Sequence, residues 1–220
     1  MCYNSRKMLI IDKKTIMSSV VTEINDGQYA EIVLLGKGPT FDKYHAYTPT
    51  LGKKPFLIGV NDAVNVVICD MLVANDIETF DRLDCDMASK LKFILVPYHP
   101  HKQEKPLKNI TYANIIKKKS LNLFNGKIIP FNLATYRKQY LDYITLDSAI
   151  SSANTAIDFI SHYLSFINTI NIFGIGILGH QKYSKIFLPT GGVNNYNDKK
   201  INMIKNHIIK NLSNKIWTLN

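Results

Sequence analysis

The stretch EIVLLGKGPT, residues 31–40, decides the fold. Its four consecutive apolar residues stop at a glycine, which is typical of a strand buried on both faces of a parallel sheet. Gly36 and Gly38 predict a tight turn in which the backbone can approach a ligand closely. Pro39 and Thr40 favour the first turn of a helix, whose N-terminus attracts anions. The stretch therefore predicts a strand, a glycine turn and a helix in succession.

Further apolar runs of strand length follow this stretch, and most of them end at Gly, Asn or Asp. The runs span residues 56–60, 71–74, 93–96, 170–173 and 216–219. Between and after them, residues 152–165 and 201–212 carry apolar side chains at helical spacing, with Asn154 or Thr155 as the N-cap of the first helix. This alternation predicts an α/β fold: a single Rossmann-like domain with a mostly parallel sheet flanked by helices and a basic insertion.

The length of 220 residues fits one domain. Residues 1–28 are predicted to form an N-terminal arm or an appended strand, and residues 29–220 the Rossmann-like domain. The insertion covers about 98–140, where Glu104 is the single acidic residue among many lysines. We expect short strands there and a lid-like or substrate-facing role.

The formal charge of +10 and the pI of about 9.4 indicate a polyanionic partner such as nucleic acid. The alternative is a basic surface that contacts only solvent. Only 3 of the 27 basic residues are arginine, the residue best suited to phosphate and base contacts. Cys2, Cys69 and Cys85 are too scattered for a disulfide framework or a zinc site, so we expect a reducing, cytoplasmic location. No apolar run is long enough to span a membrane and no secretory signal is recognisable; a homo-oligomer stays an open alternative.

In open parallel sheets, ligands bind beyond the carboxyl ends of the strands. The residues at those strand ends, in the glycine turn and at the start of the helix predicted at 152–165 are therefore the candidate nucleotide-binding residues. They are Gly36, Gly38, Pro39, Thr40, Asn61, Asp62, Asn75, Ser152, Asn154, Thr155 and Gly174. A tight turn, an Asx turn and a plain N-cap are the structural alternatives for these groups.

Histidine supplies the candidate base. His180 is the only histidine between Gly174 and the last predicted helix, in a loop expected at the carboxyl edge of the sheet, where an imidazole can accept a proton near neutral pH. A solvated loop histidine is the alternative. His99 and His101 have metal-ligand spacing but no cysteine or carboxylate close by in sequence, so we predict no metal site.

Several motifs in order resemble those of the bacterial lipo-oligosaccharide sialyltransferases and the related archaeal-type 6-hydroxymethylpterin diphosphokinase-like proteins. The turn at 36–40 is similar to the G-x-G-P-S/T opening of these families, and Asn61 matches the asparagine that ends their next strand. The segment 69–75 matches C-x5-N. Residues 153–155 correspond to a Thr-Ser-Gly turn and 173–176 to a Ser-Gly-x-Asp segment, both with substitutions. The similarity covers residues 31–76 and 151–176.

The resemblance implies a pocket for the nucleotide of a CMP-sugar, a histidine base on a loop, and no metal. It predicts a glycosyltransferase-like enzyme that uses a nucleotide-activated sugar donor and no cofactor, with His180 as base and a glycan or a nucleic acid base as acceptor. One alternative is a pterin-type diphosphotransferase that holds Mg²⁺ on carboxylates such as Asp62 and Asp76. The other is a non-catalytic nucleotide- or nucleic-acid-binding module.

Overall fold

The computed structural model describes residues 9–49, 52–102, 105–134, 140–146, 151–175, 184, 186–187 and 198–220. Its main sheet has nine strands, in the order β1-β8-β5-β4-β3-β2-β10-β11, with β9 beside the end of β8. These strands are β1 (Leu9–Ile10), β2 (Glu31–Leu35), β3 (Phe56–Val60), β4 (Met71–Val73), β5 (Phe93–Pro97), β8 (Lys127–Leu133), β9 (Ile144–Leu146), β10 (Thr169–Phe173) and β11 (Ile216–Leu219). Every pair in this sheet is parallel, while β6 (His101–Lys102) and β7 (Lys105–Pro106) form a small antiparallel pair.

Helices cover both faces of the main sheet. The helices are α1 (Lys13–Thr15), α2 (Thr22–Asp26), α3 (Glu78–Arg82), α4 (Cys85–Lys90), α5 (Tyr112–Ile116), α6 (Ser152–Tyr163) and α7 (Asp198–Asn211). A π-helical segment, Ile16–Val21, joins α1 to α2, and 3₁₀ helices span Pro39–Ala46, Asn61–Asn65 and Lys119–Leu121. The chain is therefore an α/β domain of Rossmann-like architecture.

Each face of the sheet has its own core. One core combines alternate strand residues such as Ile32 and Ile58 with α6, α7 and the N-terminal helical segment. The other combines Val33 and Leu57 with the 3₁₀ helices and α3 to α5. Because both faces are covered, β2, β3 and β5 are buried along their whole lengths, as their continuous apolar runs predict.

The sheet is larger than the sequence predicts on the side beyond β5. The seven-residue strand β8 lies within the expected insertion and joins the main sheet, although Pro130 is in its middle. The Phe131 carbonyl bonds to Tyr98 on the β5 side, whereas the Ile128 carbonyl and the Ala134 amide bond on the opposite side. The nitrogen of Pro130, which has no hydrogen to donate, therefore faces away from β5. On that side Pro130 lies between the end of β1 and the start of β9, so the missing N–H costs no hydrogen bond between strands.

The N-terminal segment is part of the domain core. Strand β1 pairs with β8 as an appended edge strand, and Ile16, Val20 and Ile24 are buried against the sheet. Among the described residues, no helix combines the length and the hydropathy needed to cross a membrane.

Candidate functional site

The strand order reverses at β2. On one side of it, β3, β4, β5 and β8 follow in chain order, and on the other side lie β10 and β11. Ligands of open α/β sheets bind at such a reversal, outside the carboxyl ends of the strands. Since the strands are parallel, the sequence candidates that follow β2, β3, β4 and β10 all lie at this one edge.

The glycine turn after β2 packs against the end of β10. The Gly36 amide donates to the Phe173 carbonyl at 2.8 Å and the Gly38 amide to the Gly174 carbonyl at 2.6 Å. A Cβ atom on Gly36 would lie 2.4 Å from the Gly174 carbonyl oxygen, and one on Gly38 would lie 2.8 Å from it. These glycines therefore permit a close backbone approach between two strand exits, and their amides are engaged there rather than directed at a ligand.

The turn continues into the 3₁₀ helix Pro39–Ala46, with Gly38 at its N-cap and Pro39 in its first turn. Thr40 is held by the same contact, because its hydroxyl accepts a bond from the Gly174 amide at 2.8 Å. Gly174 has a φ of +67°, in the region that favours glycine.

Asp62, just beyond β3, is a buried carboxylate between two cations. The Lys37 ammonium donates to Oδ2 at 2.8 Å, and Arg82 donates from Nε to Oδ1 and from Nη2 to Oδ2, both at 3.1 Å. The Asp62 side chain is 1% exposed, and those of Lys37 and Arg82 are 12% and 39% exposed. We call these three residues the Asp62 triad; it carries one net positive charge.

Sequence reasoning did not single out Lys37 or Arg82. Lys37 is the middle residue of the glycine turn, and Arg82 is one of only three arginines, which are the signals that could have marked them. Their pairing with Asp62 depends on sequence separations of 25 and 20 residues, which no local pattern reports.

Asn61 precedes the triad in a conformation unusual for its residue type. Its φ is +53°, a left-handed conformation that asparagine tolerates better than most residues. Its side-chain oxygen lies 3.4 Å from the Thr79 hydroxyl, a contact at the long limit of a hydrogen bond. Strained backbone of this kind is found more often at functional sites than elsewhere.

The start of α6 is joined to the end of β4. The Asn75 amide donates to the Ser152 hydroxyl at 3.0 Å, and the Asn75 side chain lies 3.2 Å from the Thr155 hydroxyl. The N-cap of α6 is Ser151, which corrects the prediction of Asn154 or Thr155. Ser152, Asn154 and Thr155 occupy the first turn instead and are buried.

Asn154 has spare hydrogen-bonding capacity. Its oxygen accepts from the Ser151 hydroxyl at 2.6 Å, while Nδ2 is buried without a hydrogen-bond partner among the described residues. A buried donor left in this state costs about 1–3 kcal/mol, so a ligand or water oxygen would be favourable beside it.

A cluster of aromatic residues lies beyond β5 and β8 at the same edge. The Tyr98 and Tyr140 rings stack at 3.7 Å, and His99 lies between the Ile110 carbonyl, 3.0 Å from Nδ1, and the Tyr140 hydroxyl, 3.1 Å from Nε2. Burial raises the pKa of Tyr98, which keeps its hydroxyl protonated. A narrow cleft here is lined by Pro97, Tyr98, His99, Phe131, Asn132, Leu133 and Tyr140.

The candidate base His180 falls outside the described residues. His180 and Gly176 belong to the segment 176–183, whose structure is not described. Its flanks lie close to the glycine turn: Ile175 is buried beside Gly36, and the Ser184 amide donates to the Lys37 carbonyl at 2.8 Å. In the part of the chain that is described, no three His, Cys, Asp or Glu side chains are grouped as metal ligands would be.

Comparison with known proteins gives no family for this chain. No protein-family model matches it, and no curated protein is significantly similar to it. The class that the fold defines is an α/β domain whose carboxyl edge carries a charged triad, a buried amide network and an aromatic cleft.

Proposed function

We propose that this protein is a glycosyltransferase-like enzyme that uses a nucleotide-activated sugar as donor. The observation that carries the proposal is that the candidate polar residues follow parallel strands to one edge of the sheet, at the reversal of strand order. The order of the motifs, which resembles that of the sialyltransferases, supports the choice of donor. We propose that the nucleotide lies over the ends of β2, β3 and β4.

The charges at this edge suit a phosphate group. The Asp62 triad holds two cations in fixed positions and keeps one net positive charge. A charge in a partly buried site acts more strongly on a ligand phosphate than one in water. Asn154 would add a neutral donor for a ribose, base or phosphate oxygen through Nδ2.

In the proposed reaction, the oxygen of an acceptor hydroxyl attacks the anomeric carbon of the donor sugar. The bond from that carbon to the phosphate oxygen breaks, and the electron pair leaves with the nucleotide phosphate, which Lys37 and Arg82 would stabilise. A histidine base takes the acceptor proton, and His180 is its sequence candidate. The acceptor is a glycan or, given the basic character of residues 98–140, a nucleic acid base.

The diphosphotransferase alternative is less well supported by the geometry. It would need carboxylates such as Asp62 and Asp76 for Mg²⁺. Both oxygens of Asp62 already accept bonds from Lys37 and Arg82, so that a metal would have to displace a cation from a buried carboxylate. The binding-module alternative predicts nucleotide binding with no turnover.

Nucleotide binding can be tested by thermal shift with CMP, UMP, GMP, ADP and their sugar derivatives. A ligand at 100 times its dissociation constant adds about 2.7 kcal/mol of stability, or about 5–11 °C for a domain of this size. Turnover of the stabilising donor, with and without EDTA, then separates the three readings. Loss of turnover in EDTA would favour the diphosphotransferase, and the absence of any nucleotide shift would refute the proposal.

The position of the phosphate can be tested with Lys37→Met and the matched control Lys118→Met. Lys118 pairs with Asp81 in a more exposed ion pair, so its replacement makes the same charge change away from the triad. We expect Lys37→Met to weaken binding of the nucleotide about 10- to 150-fold, since a hydrogen bond to a charged group contributes about 1.5–3 kcal/mol, and Lys118→Met to leave it unchanged. Equal effects would place the phosphate elsewhere.

Nucleic acid as acceptor makes a separate prediction. Affinity for RNA or DNA should fall steeply with salt, because each neutralised phosphate releases counterions. No binding at low salt would leave a glycan as the acceptor.

A further inference from the structure

The orientation of His99 fixes where its ring proton lies. The Ile110 carbonyl can only accept a hydrogen bond, so the Nδ1 atom, 3.0 Å away, must carry the proton. In the neutral ring Nε2 then has a free lone pair, and the Tyr140 hydroxyl at 3.1 Å donates to it. The Tyr140 oxygen is thus joined to an imidazole that can take its proton.

This pair is held firmly by its surroundings. In β8, Asn132 donates to the Tyr140 carbonyl at 2.8 Å and accepts from the Tyr140 amide at 3.0 Å. The stacked Tyr98 ring covers one face of Tyr140. A catalytic group needs such support, because small displacements from productive geometry cost rate.

The pair lies on the same edge of the sheet as the proposed nucleotide site. Strand β5, which Tyr98 and His99 follow, is the neighbour of β4, and Asn75 lies two residues beyond the end of β4. The His101 amide, two residues beyond His99, donates to the Asn75 carbonyl at 2.7 Å. The cleft that Tyr140 and His99 line is therefore next to the buried amide network along the carboxyl edge.

We propose that Tyr140 and His99 form the proton relay that accepts the proton of the acceptor hydroxyl. This inference rests on the proposed function and places proton acceptance on described residues instead of His180. The acceptor proton passes to the Tyr140 oxygen as the Tyr140 proton passes to Nε2 of His99. The acceptor oxygen bonds to the anomeric carbon, and the nucleotide phosphate leaves with the electron pair of the broken bond. The resulting imidazolium donates to Tyr140 and to Ile110, and later releases its proton to water.

The main variant is Tyr140→Phe, which removes one hydroxyl and keeps the ring stacked on Tyr98. Its matched control is Tyr112→Phe, which removes a neighbouring hydroxyl that lies 3.0 Å from the Tyr143 hydroxyl. We expect Tyr140→Phe to lower kcat about 10²–10⁴-fold with nearly unchanged nucleotide affinity, and Tyr112→Phe to keep both within about 2-fold. His99→Gln should lower kcat to a similar extent with nearly unchanged nucleotide affinity, because it removes the group that takes the Tyr140 proton.

Nitrogen-15 NMR of the wild type and Tyr140→Phe measures the tautomer of the His99 ring and does not depend on activity. The wild type should show the Nδ1–H form of His99, with an Nε2 shift that changes in Tyr140→Phe. The Nε2–H form would overturn the relay. Wild-type turnover retained in Tyr140→Phe but lost in His180→Gln would also overturn it while leaving the glycosyl transfer intact. No turnover of any donor by the wild type would instead refute the proposed function and the catalytic role together.

Discussion

Replacement of Gly174 by alanine should destabilise this protein for two separable reasons. Gly174 has a φ of +67°, and a left-handed conformation costs an L-residue about 1–2 kcal/mol. Its Cβ would also lie 2.3 Å from the Gly36 carbonyl oxygen, a backbone atom that cannot move without shifting β2. Overpacking of this kind costs about 1–3 kcal/mol. We therefore expect a gross loss of about 2–5 kcal/mol.

Two other glycines isolate the two contributions. Gly52 has a φ of +63° with nothing within 4 Å of its Cβ position, so Gly52→Ala reports the conformational cost alone. Gly36→Ala reports the steric cost, because its Cβ would lie 2.4 Å from the Gly174 carbonyl oxygen. In all three variants, alanine lowers the conformational entropy of the unfolded chain by a similar amount. This effect offsets each loss in the free energy of unfolding by about 0.4–1 kcal/mol.

Urea unfolding at 25 °C measures the three free energies. With a slope of about 2–3 kcal/mol per molar urea, a net loss of about 3 kcal/mol in Gly174→Ala lowers the midpoint by about 1 M. Gly52→Ala should lower it by less than half as much. Equal losses in Gly174→Ala and Gly52→Ala would refute the close contact between the exits of β2 and β10, on which the site geometry depends.

Three further predictions concern buried polar groups. Asp62→Asn should lower the free energy of unfolding by about 1–3 kcal/mol in urea titrations, and Asp81→Asn, in an exposed pair, by less than about 1 kcal/mol; equal losses would contradict the buried triad. Burial raises the pKa of Tyr143 above its value in the unfolded chain. The protonated hydroxyl therefore contributes fully to the free energy of unfolding below about pH 10, and this contribution is lost as the pH rises through the folded pKa. Tyr143→Phe should reduce the alkaline loss of stability, measured by urea titration at pH 8 and pH 11, and an unchanged loss would contradict this. A thiol reagent at pH 8, mapped by mass spectrometry, should modify Cys85 before Cys69, because Cys69 is 3% exposed and burial raises its pKa; the reverse order would contradict the packing.

The strands β2, β3 and β5 could be predicted because burial on both faces leaves an unbroken apolar run with polar residues at its end. Strand β8 could not, because Pro130 argues against a strand unless the neighbouring chains are known to leave a gap beside it. The N-cap of α6 was missed because several residues able to cap a helix stand together at 151–155. Ser151 is the one with extended backbone and a side chain that accepts from the Asn154 amide.

That the candidate residues share one edge of the sheet could be predicted from the sequence. Parallel strands bring their ends to one edge, so polar residues after Val60 and Val73 had to meet there. What each residue does at that edge depends on partners far away in sequence. Position 36 must be glycine because the Gly174 carbonyl lies against it, and the charge of Asp62 is balanced by Lys37 and Arg82. Neither contact can be recognised from a local sequence pattern.

The two ends of this edge differ in a way that links the two proposals. The Asp62 triad over β2 and β3 is charged, whereas the cleft over β5 and β8 is lined mainly by aromatic and apolar side chains. Neighbouring strands are about 4.8 Å apart, so three strand spacings separate the two regions by about 14 Å. The affinity for a free nucleotide would then depend on Lys37 and not on Tyr140, whereas the rate of sugar transfer to an acceptor would depend on both residues. Because sites this far apart act nearly independently, the effects of Lys37→Met and Tyr140→Phe on the free energy of nucleotide binding should add, and strong coupling would mean that one ligand group touches both.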